Sequence, residues 1–301
     1  MTLKNFTSPI SCFTLANGVG VPCLGFGTWQ SPSGSIAAES VRLALEAGYR
    51  HIDTAAAYQN EESVGLGIRE SGLPRQEIFL TTKLANGDHG YAETLRAFER
   101  SLEKLQTDYV DLYLIHWPIP PQHAGNWIES LRATWRAVCE IYHKGKARAI
   151  GVSNCFPKHI EQMAIEGTVF PMVNQIEFHP GATQPQTTAW CQSRGMMIQA
   201  WSPLAQGRIL RLPVLCALAK KYRKTPAQAA LRFELELGVN PLPKSVTPER
   251  IRQNADLFDF ALDDDEIAAI RSLGESCATG YDPDHYRPIL ELVAERFGTA
   301  Q

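Results

Sequence analysis

The chain contains no apolar run approaching the roughly 20 residues that a membrane-spanning helix needs, so a helical membrane protein is not expected. It also lacks any block of like charge. Its 29 Lys and Arg face 32 Asp and Glu, for a net charge of −3. Neither a nucleic-acid footprint nor an acidic interaction tail is expected from that balance. The seven cysteines are scattered, odd in number and without a C-x-x-C pair. This argues against a disulfide framework and against a zinc site, so no metal is expected. It fits reduced thiols in the cytoplasm, mostly acting as small buried hydrophobes. The N-terminal MTLKNFTSPISC lacks the apolar segment of a signal peptide. A further absence concerns glycine. Gly25-Phe26-Gly27 is followed by Thr28-Trp29-Gln30, so the third glycine of the dinucleotide fingerprint G-x-G-x-x-G is missing.

What is present is a long, regular alternation. Of 301 residues, 44% are hydrophobic and 20% charged, which predicts a packed core. Residues 10–22 read as a hairpin, because Ala16-Asn17-Gly18 sits between two apolar stretches and Asn-Gly favours a tight turn. Strands then read at 24–26, 49–53, 78–83, 110–116, 147–153, 173–177, 197–200 and 239–243. Helical patterns follow each of them, at 36–47, 61–70, 92–105, 127–143, 157–166, 185–194, onward to 237, and 248–257. Further helices read at 263–273 and 289–297. Eight strand–helix units with no polar linker predict a closed (β/α)8 barrel as one domain over 1–301. The hairpin would occupy 10–22, the barrel 24–258, and an extra helix with a C-terminal tail 259–301. An open doubly wound sheet is the alternative, and it would want the absent glycine.

In a barrel, functional side chains gather at the C-terminal ends of the strands. Asp53, Lys83 and His116 stand at three consecutive strand ends, and Tyr58 lies on the loop beyond Asp53. Each alone has an ordinary reading: a helix cap, a solvated lysine, a loop histidine, a packed aromatic. Adjacent strands are roughly 4.8 Å apart, so the four can meet. An ammonium beside a phenol lowers its pKa, and a carboxylate keeps that ammonium charged. Asp53, Lys83 and Tyr58 thus read as a proton-donor relay. His116 would hydrogen-bond a substrate carbonyl. None of them can supply a hydride, so a nicotinamide would have to.

The ordered segments GTW, HIDTAAAYQNEESVG, TTKL, DLYLIHWP, GVSN, NQIEFHP, WSPLAQG and PKSVTPERIRQN resemble the aldo-keto reductase superfamily over about residues 10–273. The branch with 2,5-diketo-D-gluconate reductases is the most similar in feel. The resemblance implies a (β/α)8 barrel with a hairpin across its bottom. It also implies an NADPH-dependent monomer that reduces small-molecule carbonyls. It places the proton donor at Tyr58, its tuning residues at Asp53 and Lys83, and the substrate-orienting histidine at His116. Ser153, Asn154 and Gln175 fall on carboxamide-binding positions, and Trp201 on the nicotinamide platform. Gly27, Thr28, Ser202 and Leu204 are further implied cofactor contacts. Lys244, Ser245, Val246, Thr247, Arg250 and Asn254 form the implied phosphate end. Lys and Arg there suit the 2′-phosphate of NADP, and Thr247-Pro248 opens a helix whose N-terminus favours an anion. Gln253 stands where many members carry Glu.

Trp29, Tyr58, His116 and Trp117 should bound the substrate, with Trp127 as a further wall and Tyr281 and Tyr286 contributed by the tail. Ala85 in KLAN replaces a tryptophan common in relatives, which would lower one wall. Arg287 reads as a surface residue. A non-enzymatic, cofactor-loaded barrel is the competing reading. A hydrolase using Asp53 and Glu177 would leave Lys83 and Tyr58 without a purpose.

Overall fold

The computed structural model describes residues 6–165 and 168–298. The hairpin forms as expected but shorter. Strands β1 (Cys12–Thr14) and β2 (Gly20–Pro22) pair antiparallel. Gly18, at φ 84°, takes the left-handed turn position that a residue with a Cβ resists. Asn17 Nδ2 donates to Arg148 O at 2.9 Å, which fixes the turn beneath the start of a barrel strand.

Eight parallel strands follow: β3 (Phe26–Gly27), β4 (His51–Asp53), β5 (Phe79–Leu84), β6 (Val110–Ile115), β7 (Ala147–Ser153), β8 (Val173–Glu177), β9 (Met197–Trp201) and β10 (Val239–Pro241). They lie in chain order, each paired with the next. Backbone bonds from Gly25 N to Pro241 O and from Gly27 N to Pro243 O, both 3.0 Å, join the first strand to the last. The missing glycine fingerprint has its explanation here. A Cβ on Gly25 would lie 2.4 Å from Leu242 Cδ2 and 2.6 Å from His51 Nδ1, and one on Gly27 would lie 2.9 Å from Leu242 O. These glycines serve the barrel seam, where two backbones approach closely. The first strand runs over Phe26–Gly27 rather than the expected 24–26.

The helices flanking the strands are α1 (Ser35–Glu46), α2 (Glu61–Glu70), α3 (Tyr91–Leu105), α4 (Trp127–His143), α5 (Pro157–Met163), α6 (Pro185–Ser193), α7 (Pro213–Tyr222), α8 (Pro226–Glu236) and α9 (Pro248–Ala255). Helix α5 stops at Met163, short of the expected 166, a residue outside those described. The stretch expected to be helical through 237 is three pieces. A 3-10 segment (Ala205–Arg211) is broken by left-handed Gln206 and Gly207, and left-handed Arg223 ends α7. Thr225 then starts α8 with a reciprocal cap. Its hydroxyl accepts from Gln228 N at 3.2 Å, and Gln228 Oε1 accepts from Thr225 N at 2.9 Å.

Helices α10 (Asp264–Arg271) and α11 (Ile289–Phe297) complete the chain's described part. The tail crosses the rim carrying the C-terminal ends of the strands. Thr279 anchors it, donating its N–H and hydroxyl to the buried Glu177 carboxylate at 3.0 and 2.7 Å. No helix among the described residues is long and apolar enough to cross a membrane. All seven cysteines are unpaired.

Candidate active site

The strand ends deliver Asp53, Lys83 and His116 to one place. Asp53 is the last residue of β4, Lys83 the penultimate residue of β5, and His116 follows β6. Strand alternation turns them all toward the barrel interior. Tyr58 arrives on a single 3-10 turn (Ala56–Tyr58), stopped by left-handed Gln59.

Lys83 is completely buried, and its three ammonium hydrogens are all placed. Nζ donates to Asp53 Oδ1 at 2.6 Å, to Thr54 O at 2.9 Å and to Tyr58 Oη at 3.2 Å. Burial by itself would discharge the lysine. Asp53 and Tyr58 outweigh that and raise its pKa, so it stays an ammonium. Asp53 is therefore no helix cap. Its second oxygen accepts from Gln175 Nε2 at 2.8 Å.

The phenol departs from the sequence-based expectation in one respect. Burial pushes the pKa of Tyr58 up, and the ammonium, though it pulls the other way, does not cancel this. Lys83 limits the rise without reversing it. A phenol so placed remains a competent donor to an alkoxide, which is a far stronger base than a phenolate. His116 is pulled down to about 3, first by burial and then by Lys83. It is a neutral imidazole at physiological pH. Its ring meets that of Tyr58 edge-on with centroids 5.6 Å apart. Among the described residues nothing bonds its ring nitrogens.

These groups open into a cavity of about 760 Å³, which Trp29, Trp117 and Trp201 also line. The tail closes over it. Trp117 packs edge-on against Tyr281 and Tyr286, with centroids 5.6 and 5.0 Å away. Tyr286, Ile289 and Leu290 reach the cavity itself. Trp127 does not; it packs on His159. Ala85 is likewise absent from the lining. Arg287 pairs with Glu295 on the exposed face of the tail. Glu177 is spent on Thr279 and His179, so it forms no pair with Asp53.

The implied cofactor positions divide. Gly27, Ser153, Asn154, Gln175, Trp201, Ser202 and Leu204 line the cavity, as do Lys244, Ser245, Arg250, Gln253 and Asn254 at its far end. Thr28, Val246 and Thr247 do not. The Thr28 hydroxyl turns inward to Asp53 O at 3.0 Å, and Val246 points to solvent. Thr247 N donates to Ser245 Oγ at 3.0 Å, which shapes the loop before α9. Lys244 Nζ reaches Gln30 O at 3.0 Å, and partial burial lowers its pKa.

Sequence reasoning missed how much of this polar set is committed to the protein. Asn154, held left-handed at φ 59°, donates to His116 O at 2.9 Å and accepts from Trp201 Nε1 at 2.8 Å. It therefore pins the indole and the histidine backbone together. Ser153 Oγ donates to Gln175 O at 2.7 Å. Of the three implied carboxamide partners, only Gln175 keeps an oxygen to which nothing among the described residues donates.

Residues 23–275 match the Aldo/keto reductase family. The chain is 47% identical over 270 residues to the glyoxal reductase of Bacillus subtilis, covering 90% of this chain and 95% of that protein. The chain belongs to the aldo-keto reductase family. It is an oxidoreductase acting on carbonyl groups, and the reductant of this family is a nicotinamide nucleotide. A second relative of this aldo-keto reductase is the methylglyoxal reductase of Escherichia coli K12, 42% identical over 274 residues, or 90% of this chain and 96% of that one. A crystal structure of an aldo/keto reductase from Brucella melitensis superposes with a TM-score of 0.82 at 45% identity, covering 88% of this chain and 99% of the other.

Proposed function

We propose that this aldo-keto reductase uses NADPH to reduce small aldehydes and ketones to alcohols, with glyoxal-type dicarbonyls foremost, and that Tyr58 is the proton donor. The observation that carries the reading is the bonding of Lys83. Two of its hydrogens are tied down inside the barrel, and the third holds the phenol of Tyr58, which lines the cavity. The names of the glyoxal and methylglyoxal reductases support the substrate class. Three aromatic walls and a neutral imidazole fit a small, uncharged carbonyl compound.

The lining residues fit a phosphorylated nicotinamide nucleotide. Gln175 offers a free acceptor for a carboxamide, Trp201 a flat face, and Lys244 with Arg250 two cations for a ribose 2′-phosphate. When bound, the nucleotide supplies a hydride to the carbonyl carbon. His116 donates a hydrogen bond to the carbonyl oxygen and fixes its direction. Tyr58 passes its proton to that oxygen as negative charge develops there. Lys83 stabilises the phenolate left behind, and Asp53 keeps Lys83 charged. Solvent returns the proton to Tyr58. In this reading the protein works as a cytoplasmic monomer, its seven cysteines all unpaired.

The test is consumption of NADPH and of NADH against glyoxal, methylglyoxal, aromatic aldehydes and keto-sugars. NADPH should be oxidised fastest with the dicarbonyls, and NADH at least about ten-fold less efficiently. A purified protein that binds NADPH but reduces no member of the panel would overturn the reading in favour of a non-enzymatic barrel.

A further inference from the structure

Three carboxamides stand abreast inside the barrel. The register pairs Gln175 of β8 with Gln199 of β9, and Gln199 with Asn240 of β10. All three are buried. A buried amide must find partners for one oxygen and two N–H groups, and here the amides largely serve one another. Asn240 Nδ2 donates to Pro22 O, Gln199 Nε2 to Asn240 Oδ1, and Gln175 Nε2 to Gln199 Oε1, each at 3.0 Å. The second N–H of Gln175 goes to Asp53 Oδ2 at 2.8 Å. The row runs from the carbonyl that ends the hairpin to the carboxylate beside Lys83.

Every bond in that row has a fixed sense. Pro22 O at one end and ionised Asp53 at the other only accept. Reversing the Gln199 amide would set its N–H against the N–H of Gln175, and its oxygen against the oxygen of Asn240. Two buried pairs would be lost at once. Gln175 therefore spends both N–H groups on the protein, and it lines the cavity with an oxygen to which nothing among the described residues donates. Gln199 itself is fully buried and absent from the cavity lining.

We propose that Gln199 is a positioning residue of this reductase. It holds the Gln175 amide so that its oxygen is presented to the carboxamide of the nicotinamide and its N–H grips Asp53. The proposal rests on the nicotinamide reading of the cavity. Without the Gln199 oxygen, one of the two bonds that lock Gln175 is gone, and the amide can rotate. The acceptor in the cavity and the restraint on Asp53 then loosen together.

Two variants test this. Gln199→Leu keeps the volume and removes both polar ends. Gln199→Glu keeps an oxygen that accepts from Gln175 whether its carboxyl is protonated or ionised, and keeps the donor to Asn240 only while protonated. NADPH affinity is read from tryptophan fluorescence, and the Gln175 side-chain amide from 15N NMR of cofactor-free protein. Gln199→Leu should melt cooperatively and bind NADPH about ten-fold more weakly, the worth of one lost buried hydrogen bond. Gln199→Glu should bind NADPH within about two-fold of the parent, because the acceptor toward Gln175 is kept. The Gln175 amide resonances should move in Gln199→Leu and return in Gln199→Glu. Parental affinity in both variants would overturn the proposal. So would equal losses in both, since the side chain would then act by shape alone. A parent protein that binds no nicotinamide nucleotide would instead refute the functional reading. The amide resonances then decide alone, and unchanged Gln175 signals in Gln199→Leu would refute the positioning role. If Gln199→Leu does not fold, Gln199→Met, which also lacks the oxygen, decides: parental NADPH affinity with unchanged Gln175 amide signals would refute it.

Discussion

Asp111 at the start of β6 and Asp53 at the end of β4 are both buried aspartates at a barrel rim, but their surroundings differ. Asp111 accepts from Arg148 Nη1 at 2.6 Å on one oxygen, and from Arg75 Nη1 at 2.9 Å and Leu80 N at 3.0 Å on the other. Arg75 spends three further donors on the protein. It donates to Ile78 O, Tyr109 O and the Thr107 hydroxyl, and lies 4.1 Å over the Tyr109 ring. That cluster meets solvent through Arg148, and none of its members lines the cavity. Asp53 is bound as tightly, by Lys83 and Gln175, but its partner Lys83 directs one bond to a phenol that borders the cavity. A satisfied network stabilises the fold. The same network with a phenol lining a cavity fits the proton transfer proposed for Tyr58.

The comparison breaks most sharply at Tyr58. Tyr58→Phe should lower kcat/KM by about 10³-fold or more, the usual range for a lost general acid, with little change in cofactor affinity or melting temperature. Activity within ten-fold of the parent would remove Tyr58 from the chemistry. Asp111→Asn should do the reverse. Two arginines lose a buried counter-charge, which costs about 3 kcal/mol of stability in denaturant melts, while kcat/KM of the folded protein changes less than about two-fold. A large activity loss there would show that the two rims are not divided in this way. Next in size, Lys244→Ala with Arg250→Ala should weaken NADPH by about 2 kcal/mol and NADH far less. Equal weakening of both would remove the 2′-phosphate role.

The smallest effect concerns a third buried carboxyl. Glu234 on α8 is fully buried, and neither of its oxygens has a partner among the described residues. Burial raises its pKa well above the ordinary value, so the folded state holds a proton that the unfolded state releases above about pH 4.5. Stability from this group is present below that pH and falls as pH rises. Glu234→Gln should therefore be neutral near pH 4 and stabilising by about 1 kcal/mol at pH 8. A gain independent of pH would show that the carboxyl is not held protonated.

Much of the site was legible because it repeats a strand-end rule. Asp53, Lys83 and His116 each close an apolar run, and alternation turns all three the same way. Helix α4 was readable for a similar reason: its apolar spacing persists over Trp127–His143 without a breaker. The less legible features depend on partners distant in sequence. Gly25 and Gly27 read as a failed phosphate loop until Leu242 and His51 were seen against them. Asn154 read as a ligand contact, whereas Trp201 and His116 occupy much of its bonding capacity. Trp127 read as a pocket wall and packs on His159 instead. The upward shift of the Tyr58 pKa was hidden as well, since proximity to Lys83 can be inferred from strand order but the extent of burial cannot.

The order of elements, the barrel and the choice of the four side chains proposed to react were set by the sequence alone, because periodicity and strand-end position are local properties of a chain. Tertiary structure decided which of those groups face space and which are already paired. A hydrogen bond has a limited number of donors and acceptors, and only the folded contacts of Asp53, Asn154, Gln175 and Gln199 reveal where each of them is used.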